Sequence, residues 1–317
     1  MSQVMIRDVV PRRELLDSGH LACPGCGAPL AMRLVLKELG EKTIVVLPAC
    51  CWSIIAGPFP QSSLHVTLYH TAFETAGALA SVIRAALDAR GDTETTVMAW
   101  AGDGGTFDIG LQALSGAAER NEDFLYVSYD NEAYMNTGIQ RSSATPWGAW
   151  TTTTPAGHPE SSPKKDLLAI LAAHRIPYAA TATVAYPEDL ARKVRTALAA
   201  KGGMRFLHLL SACPPGWKMA ADESIEAMRR AVRSNVFPLY EVRDGRDYSI
   251  TLWPDQELPV EEYFSLQGRF APVLADDEIL ELVRKNVKER WWALVERHQQ
   301  SLRKAPEGAH PDEAFLH

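Results

Sequence analysis

The sequence predicts an α/β fold with a mostly parallel sheet flanked by helices, followed by a C-terminal hairpin-plus-helix extension. Three observations predict it. Short apolar runs alternate with helix-length runs up to about residue 217. Two of those runs end in turns rich in Gly, Asp and Asn, GDGG and DNEAYMNTG, and open parallel sheets bind ligands beyond such strand ends. From about Lys218 the rhythm changes to a helix, a hairpin and a long amphipathic helix.

The elements follow in order. A polar, mixed arm (RDVVPRRELLDSGH) precedes LACPGCGAPL. The spacing of Leu30, Met32, Leu34, Val35, Leu36 and Leu39 predicts a helix closed by Gly40. KTIVVLPA reads as a short buried strand. A loop with Gly57, Pro58 and Pro60 leads to SLHVTLYH, and the alanine-rich AFETAGALASVIRAALDARG is helical, with Gly91 as its stop. TTVMAWAG is a strand, DIGLQALSGAAER a helix and DFLYVSYD a strand. Residues 141–163 are rich in Ser, Thr, Gly and Pro and too long for an ordinary connection, so the segment is functional or mobile. The βα rhythm returns in LLAILAAHR, AATATVAY, PEDLARKVRTALAAKGG and RFLHLLSACPPGW. ESIEAMRRAVRS is helical, and its RRAVR reads as a solvated face. FPLYEV and YSITLW, joined by RDGRD, form a hairpin, since Asp-Gly favours a tight turn. EILELVRKNVKERWWALVERHQQSL is the closing helix. There are no internal repeats.

Composition narrows the function. The 317 residues are 46% hydrophobic and 22% charged, an ordinary globular balance. A net charge of −7 argues against a nucleic-acid binder. No uncharged apolar run reaches the length of a membrane span. MSQVMIRDVVPRREL lacks an apolar signal-peptide core, so a cytoplasmic location is expected. The five cysteines are an odd count, which with no signal peptide does not read as a disulfide framework. A metal or redox site fits better.

Gly102, Asp103, Gly104 and Gly105 lie where a strand turns into a helix. Glycines there let backbone N–H groups approach a phosphate. Asp103 would repel a bare phosphate, so a bridging divalent cation is expected, and Mg2+ takes carboxylate, carbonyl and phosphate oxygens. The next strand end offers the Asn131 amide and the carbonyl of Ala133. The combination of GDG, one βα unit and then Asn resembles the thiamine diphosphate motif. The bland alternative is a tight turn with a capping Asp.

Cys23 and Cys26 form a Cys-x-x-Cys pair, Cys51 follows the first strand, and Cys213 precedes Pro214. These four could hold a [4Fe–4S] cluster or a structural zinc ion, or some could be buried free thiols; spacing does not separate the first two. Cys50 is the spare. Other candidates are weaker. His70, Phe73 and Glu74 suit capping and packing. Trp52, Trp147 and Trp150 suit core or pocket. Arg141 suits a solvated loop or a substrate carboxylate.

CPGCG, the run from GDGGTFDIG through DNEAYMNTG to TTTTPAG, and SACPPGW together resemble the beta subunits of the 2-oxoacid:ferredoxin oxidoreductases, of which pyruvate synthase is the best known. The likeness spans about His20 to Trp217, and the hairpin and VEEYFSLQGRF look familial too. It implies the thiamine diphosphate-binding fold, with residues 1–217 carrying thiamine diphosphate and one [4Fe–4S] cluster. Residues 218–317 are then an extension packed on that domain or on a partner. It implies that Asp103, Asn131 and the Ala133 carbonyl bind Mg2+, that Gly102, Gly104 and Gly105 form the diphosphate turn, and that Asn136 lies near thiazolium and substrate as the catalytic candidate. It favours iron–sulfur over zinc, with Cys23, Cys26, Cys51 and Cys213 as ligands and Cys50 where Gly is usual. The implied reaction is oxidative decarboxylation of a 2-oxoacid with one-electron transfer to the cluster. Pyruvate is the leading substrate, with oxalate, phenylglyoxylate or branched-chain acids as alternatives, and coenzyme A the acyl acceptor in some members. Implied partners are an alpha subunit supplying the Glu that activates the aminopyrimidine, gamma- and delta-type subunits with further clusters, and ferredoxin or a similar acceptor. Ala28 and LYHTAF depart from the usual pattern, which bears on the substrate. A zinc-stapled or electron-transfer scaffold and a non-redox thiamine decarboxylase are the rival readings.

Overall fold

The computed structural model describes residues 11–155 and 157–304. Residues 1–10, which include the start of the polar arm, and 305–317, the end of the extension, lie outside the described residues. Helix α1 (Gly27–Leu39) leads to strand β1 (Thr43–Pro48), a short α2 (Trp52–Ile55), β2 (Thr67–Thr71), α3 (Ala76–Ala89) and β3 (Thr96–Gly102). A π-helical turn, Gly104–Asp108, runs toward α4 (Leu111–Glu119) and β4 (Leu125–Asp130). Then come α5 (Leu167–Ala173), β5 (Tyr178–Thr183), α6 (Pro187–Ala199), β6 (Arg205–Leu210), α7 (Pro214–Trp217) and α8 (Ser224–Arg233). The chain closes with β7 (Tyr240–Arg243), β8 (Asp247–Ile250), α9 (Val260–Phe264), α10 (Ala271–Leu274) and α11 (Asp277–Lys304).

The strands form one sheet in the order β2-β1-β3-β4-β6-β5-β7-β8. Strands β1 to β6 pair in parallel; β7 runs antiparallel to β5, and β8 to β7. Every residue of β4, β5 and β6 is buried, as expected of parallel strands covered on both faces. Side chains of β3 alternate between two cores: Met98 and Trp100 join one, Val97, Ala99 and Ala101 the other. The sheet grows outward in opposite directions from β1 and β3, which are neighbours. Their carboxyl ends, carrying Cys50-Cys51 and Gly102-Asp103, therefore flank the crevice where doubly wound sheets bind ligands.

Local differences from the sequence expectations have local causes. Helix α1 starts before Leu30, because Pro29 fits a first turn that needs no N–H from it. SLHVTLYH, given no element in the sequence, carries most of the exposed edge strand β2. Helix α3 begins only at Ala76, after a turn in which Thr75 N–H donates to the Ala72 carbonyl at 3.1 Å. The helix expected over 108–120 opens instead as the π turn. Strand β5 stops at Thr183, whose carbonyl accepts from Tyr186 N–H at 3.2 Å, one residue before Pro187 opens α6. In the hairpin turn Asp244 (φ +50°) and Gly245 (φ +67°) are both left-handed, as a turn matched to strand twist requires. The short helices α2, α7, α9 and α10 carry no signal long enough to read. Among the described residues, no helix is long and apolar enough to cross a membrane.

Candidate functional site

A cavity of about 580 Å³ opens at the crevice between β1 and β3. Cys51, Gly102, Asp103, Gly104, Gly105, Asn131, Ala133 and Asn136 all line it, so these sequence candidates are brought together. Phe73, Tyr134 and Met135 add an apolar wall, and Arg141 stands at the edge.

Asp103 is buried at the end of β3, where burial, reinforced by nearby Asp130, pushes its carboxyl well above the usual carboxylate range. Ser142 Oγ donates to Asp103 Oδ2. One terminal atom of the Asn131 amide lies 3.0 Å from Asp103 Oδ1 and 2.9 Å from the Ala133 carbonyl oxygen. Read as nitrogen, that atom donates to both. Read as oxygen, three acceptors converge with no donor, an arrangement that calls for a cation. Amide orientation follows from what surrounds it. The donor set is a carboxylate, an amide and a main-chain carbonyl.

Glycines beside Asp103 keep this wall bare. A Cβ on Gly104 would fall 2.0 Å from Tyr134 Cε1, and one on Gly105 would meet the Phe73 ring at 3.2 Å. Tyr134 is held in place by its hydroxyl, which donates to Asp108 Oδ2 at 2.7 Å. The segment 141–163, irregular in all its described residues, is fastened to the site. Besides Ser142, the Ser143 N–H donates to Asp108 Oδ2 at 3.1 Å, and Thr145 Oγ1 donates to the Glu132 carbonyl at 2.8 Å. Arg141 Nε pairs with Glu160 at 2.6 Å.

Three of the four candidate cysteine ligands cap helices. Cys26 caps α1, Cys51 caps α2 and Cys213 caps α7. Cys23 is exposed, and its carbonyl accepts from Cys26 N–H at 3.1 Å. Gly27 N–H donates to the Ala212 carbonyl at 3.0 Å, tying the first cysteine loop to the last. Burial pushes the Cys26 and Cys51 thiols up to about 12 and raises Cys213. Neighbouring cysteines add to the rise: Cys213 and Cys23 at Cys26, Cys50, Cys213 and Cys26 at Cys51, and Cys23 at Cys213. The buried Ser211 hydroxyl, beside Gly27, has no hydrogen-bond partner. Among the described residues, no three His, Cys, Asp or Glu side chains converge closely enough to hold a single metal ion. Cys50 packs against Gly102, with its Cβ 3.7 Å from the point a Gly102 Cβ would occupy.

Sequence reasoning missed a buried charged group behind the cavity. Lys164 bonds Asp130 and lies 2.8 Å from Glu132 Oε1, and His208 Nε2 is 2.7 Å from Asp130 Oδ2. Burial alone would raise Asp130, but Lys164 and His208 hold it at about 2. Nothing in the spacing of these residues marks them, since they meet only across the sheet.

The weaker candidates divide. Phe73 lines the cavity, while His70 and Glu74 are exposed. Trp52 is core, edge-on to Trp100 at 6.0 Å between ring centroids, and Trp150 lies under the Lys218 ammonium. Ala28 is buried in the core rather than in the cavity.

Comparison with known proteins shows the family. The model of the C-terminal TPP-binding domain of thiamine pyrophosphate enzymes matches residues 51–209. The chain is 52% identical over 295 residues to the ketoisovalerate oxidoreductase subunit VorB of Pyrococcus abyssi, covering 90% of this chain and 94% of that one. It is 48% identical over 290 residues to the pyruvate synthase subunit PorB of Methanocaldococcus jannaschii, covering 88% and 96%. A solved 2-oxoglutarate:ferredoxin oxidoreductase from Magnetococcus marinus shares the fold, with a TM-score of 0.55 at 23% identity over 71% of this chain and 81% of that one. The matching family model and these relatives make the chain a member of the thiamine diphosphate-binding beta subunits of the 2-oxoacid:ferredoxin oxidoreductases.

Proposed function

We propose that this chain is the catalytic beta subunit of a cytoplasmic complex that oxidatively decarboxylates a small 2-oxoacid and passes single electrons to a [4Fe–4S] cluster on the same chain. The observation that carries the reading is the convergence of the Asp103 carboxylate, the Asn131 amide and the Ala133 carbonyl within 3.0 Å, beside a glycine wall. A carboxylate, an amide and a carbonyl are oxygen ligands suited to Mg2+. Gly102, Gly104 and Gly105 line the cavity with main chain rather than side chains, the surface whose N–H groups would meet a diphosphate. When bound, thiamine diphosphate supplies the electron sink for loss of carbon dioxide. Phe73, Tyr134 and Met135 keep water from that side of the cavity, and Asn136 at its rim is placed to face the substrate.

Cys23, Cys26, Cys51 and Cys213 are the proposed cluster ligands. Support comes from their shared neighbourhood, from the main-chain bond between Gly27 and Ala212 that ties the first cysteine loop to the last, and from the unpartnered Ser211 hydroxyl. Cys51 also lines the cofactor cavity, which sets the electron acceptor beside the chemistry. On this reading residues 1–217 hold the cofactors and residues 218–317 are the extension packed on them. The alpha subunit supplies the activating Glu, gamma- and delta-type subunits carry further clusters, ferredoxin or a similar carrier takes the electrons, and coenzyme A is the candidate acyl acceptor. Pyruvate is the first substrate to test. A branched-chain acid is the second reading, favoured by the 52% identity to a ketoisovalerate oxidoreductase subunit.

The test is anaerobic purification of the complex, with iron, sulfide, zinc and thiamine diphosphate assayed on this chain, followed by acceptor reduction with pyruvate and ketoisovalerate. About four iron and four sulfide with bound thiamine diphosphate support the proposal. Zinc without sulfide makes the chain a non-redox thiamine enzyme or a scaffold.

A further inference from the structure

We propose that Arg269, in the C-terminal extension, is a positioning residue for the Mg2+-binding loop, acting through Glu132. The inference rests on the assignment of Asn131 and Ala133 as ligands.

Glu132 sits between those two residues and has a left-handed backbone (φ +67°), which a residue with a Cβ keeps only where its surroundings hold it. Its φ and ψ set how the Asn131 side chain and the Ala133 carbonyl are disposed about each other. Glu132 is held at its main chain, where the N–H donates to Asp130 Oδ1 at 2.8 Å and the carbonyl accepts from Thr145 Oγ1 at 2.8 Å, and at its buried carboxylate. Oε1 accepts from Lys164 at 2.8 Å, and Oε2 accepts from Arg269 Nη2 at 2.5 Å. Lys164 also serves Asp130, so one ammonium faces two buried carboxylates. The Arg269 guanidinium supplies the second positive charge.

Arg269 is itself fixed, by residues of the extension and by Trp217. Its Nε donates to Gln267 Oε1 at 2.9 Å, and Nη2 lies 3.4 Å from the Tyr263 hydroxyl. The guanidinium stacks on Trp217 at 4.2 Å and Phe270 at 4.8 Å from the ring centroids. A planar, forked cation suits this double duty of stacking and pairing, and a lysine ammonium does not. The extension thereby reaches the cofactor site through one side chain.

The test uses the assembled complex stripped of cofactor with chelator. Mg2+ is titrated at saturating thiamine diphosphate, with binding followed by calorimetry, for the parent, Arg269→Met, Arg269→Lys and Glu132→Gln. The unfolding midpoint without cofactor is measured in parallel. The expected result is Mg2+ affinity lowered about 10- to 100-fold in Arg269→Met and Glu132→Gln, the range for residues that orient metal ligands, with Arg269→Lys between them and the parent. Should Arg269→Met fail to fold, Arg269→Lys and Glu132→Gln carry the comparison. Folded variants that bind Mg2+ within about twofold of the parent overturn the inference, because orienting residues cost at least about tenfold. A parent that binds neither Mg2+ nor thiamine diphosphate overturns instead the ligand assignment on which it rests.

Discussion

The indole nitrogen of Trp217 donates to the main-chain carbonyl of Asn131 at 2.8 Å. This bond joins the Cys213-Pro-Pro-Gly-Trp turn to the loop carrying two proposed Mg2+ ligands. Both partners are buried, so Trp217→Phe leaves the Asn131 carbonyl without a donor and costs about 1–3 kcal/mol of stability. Thiamine diphosphate half-saturation should rise as well. Denaturation and cofactor titration of the complex check both, and an unchanged midpoint would show that the bond is idle.

Asp103→Ala removes the one carboxylate of the proposed Mg2+ site while leaving all five cysteines in place. The expected outcome is loss of thiamine diphosphate from the purified complex with iron and sulfide unchanged. Thiamine diphosphate bound at parental affinity would show that the Mg2+ site lies elsewhere.

The glycine wall makes a sharper claim. Gly104→Ala pushes a methyl group to within 2.0 Å of Tyr134 Cε1, so the ring must move. Moving it strains or breaks the Tyr134–Asp108 hydrogen bond, worth about 1.5–3 kcal/mol as a bond to a carboxylate. The larger effect falls on the cavity, because Tyr134 is one of its walls. Thiamine diphosphate affinity should fall far more than stability, read by titration and thermal unfolding of the same preparation. Equal losses in both would mean that Gly104 serves the fold alone.

Cys50 and Cys51 are neighbours with opposite expected roles. Cys51→Ser should strip iron from the chain, whereas Cys50→Ser should keep it, since Cys50 packs against Gly102 and is not among the proposed ligands. Iron and sulfide per chain, with the visible absorption of the cluster, decide between them. Iron lost only from the Cys50 variant would exchange the two assignments.

These tests also mark what the sequence shows of the site. The turn GDGG and the segment from Asp130 to Asn136 are legible because each is local: a few adjacent residues state both the turn and its donors. The cysteine quartet is legible as a set, though not as to its metal, which depends on distances. Lys164 and Arg269 are not legible. They reach Glu132 from 32 and 137 positions away, and only the folded sheet brings them together. The π turn after Asp103 escapes for another reason, since Gly104–Asp108 has the composition of an ordinary helix start. Likewise, the strand alternation predicts a parallel sheet, but not that β7 adds antiparallel to β5 at its far side.

At that far side lies a pH-dependent element remote from the cofactor. Lys193 is fully buried, and its ammonium donates to the Thr181 carbonyl at 2.8 Å, Asp189 Oδ2 at 2.6 Å and Thr251 Oγ1 at 2.8 Å. Burial pushes it down to about 8, against an ordinary value of 10.5, with Asp189 offsetting part of the drop. Between those values the unfolded chain binds a proton that the folded chain has released, so this group makes stability rise with pH. Buried tyrosines act in the opposite sense at higher pH, because burial raises their folded values. The contribution of Lys193 is therefore isolated by comparison with Lys193→Met. The stability of the parent relative to that variant should climb by on the order of 3 kcal/mol between pH 8 and pH 10.5. Denaturant unfolding at several pH values measures it. A difference that stays flat across the window would mean that Lys193 keeps its proton in the folded chain, held there by Asp189.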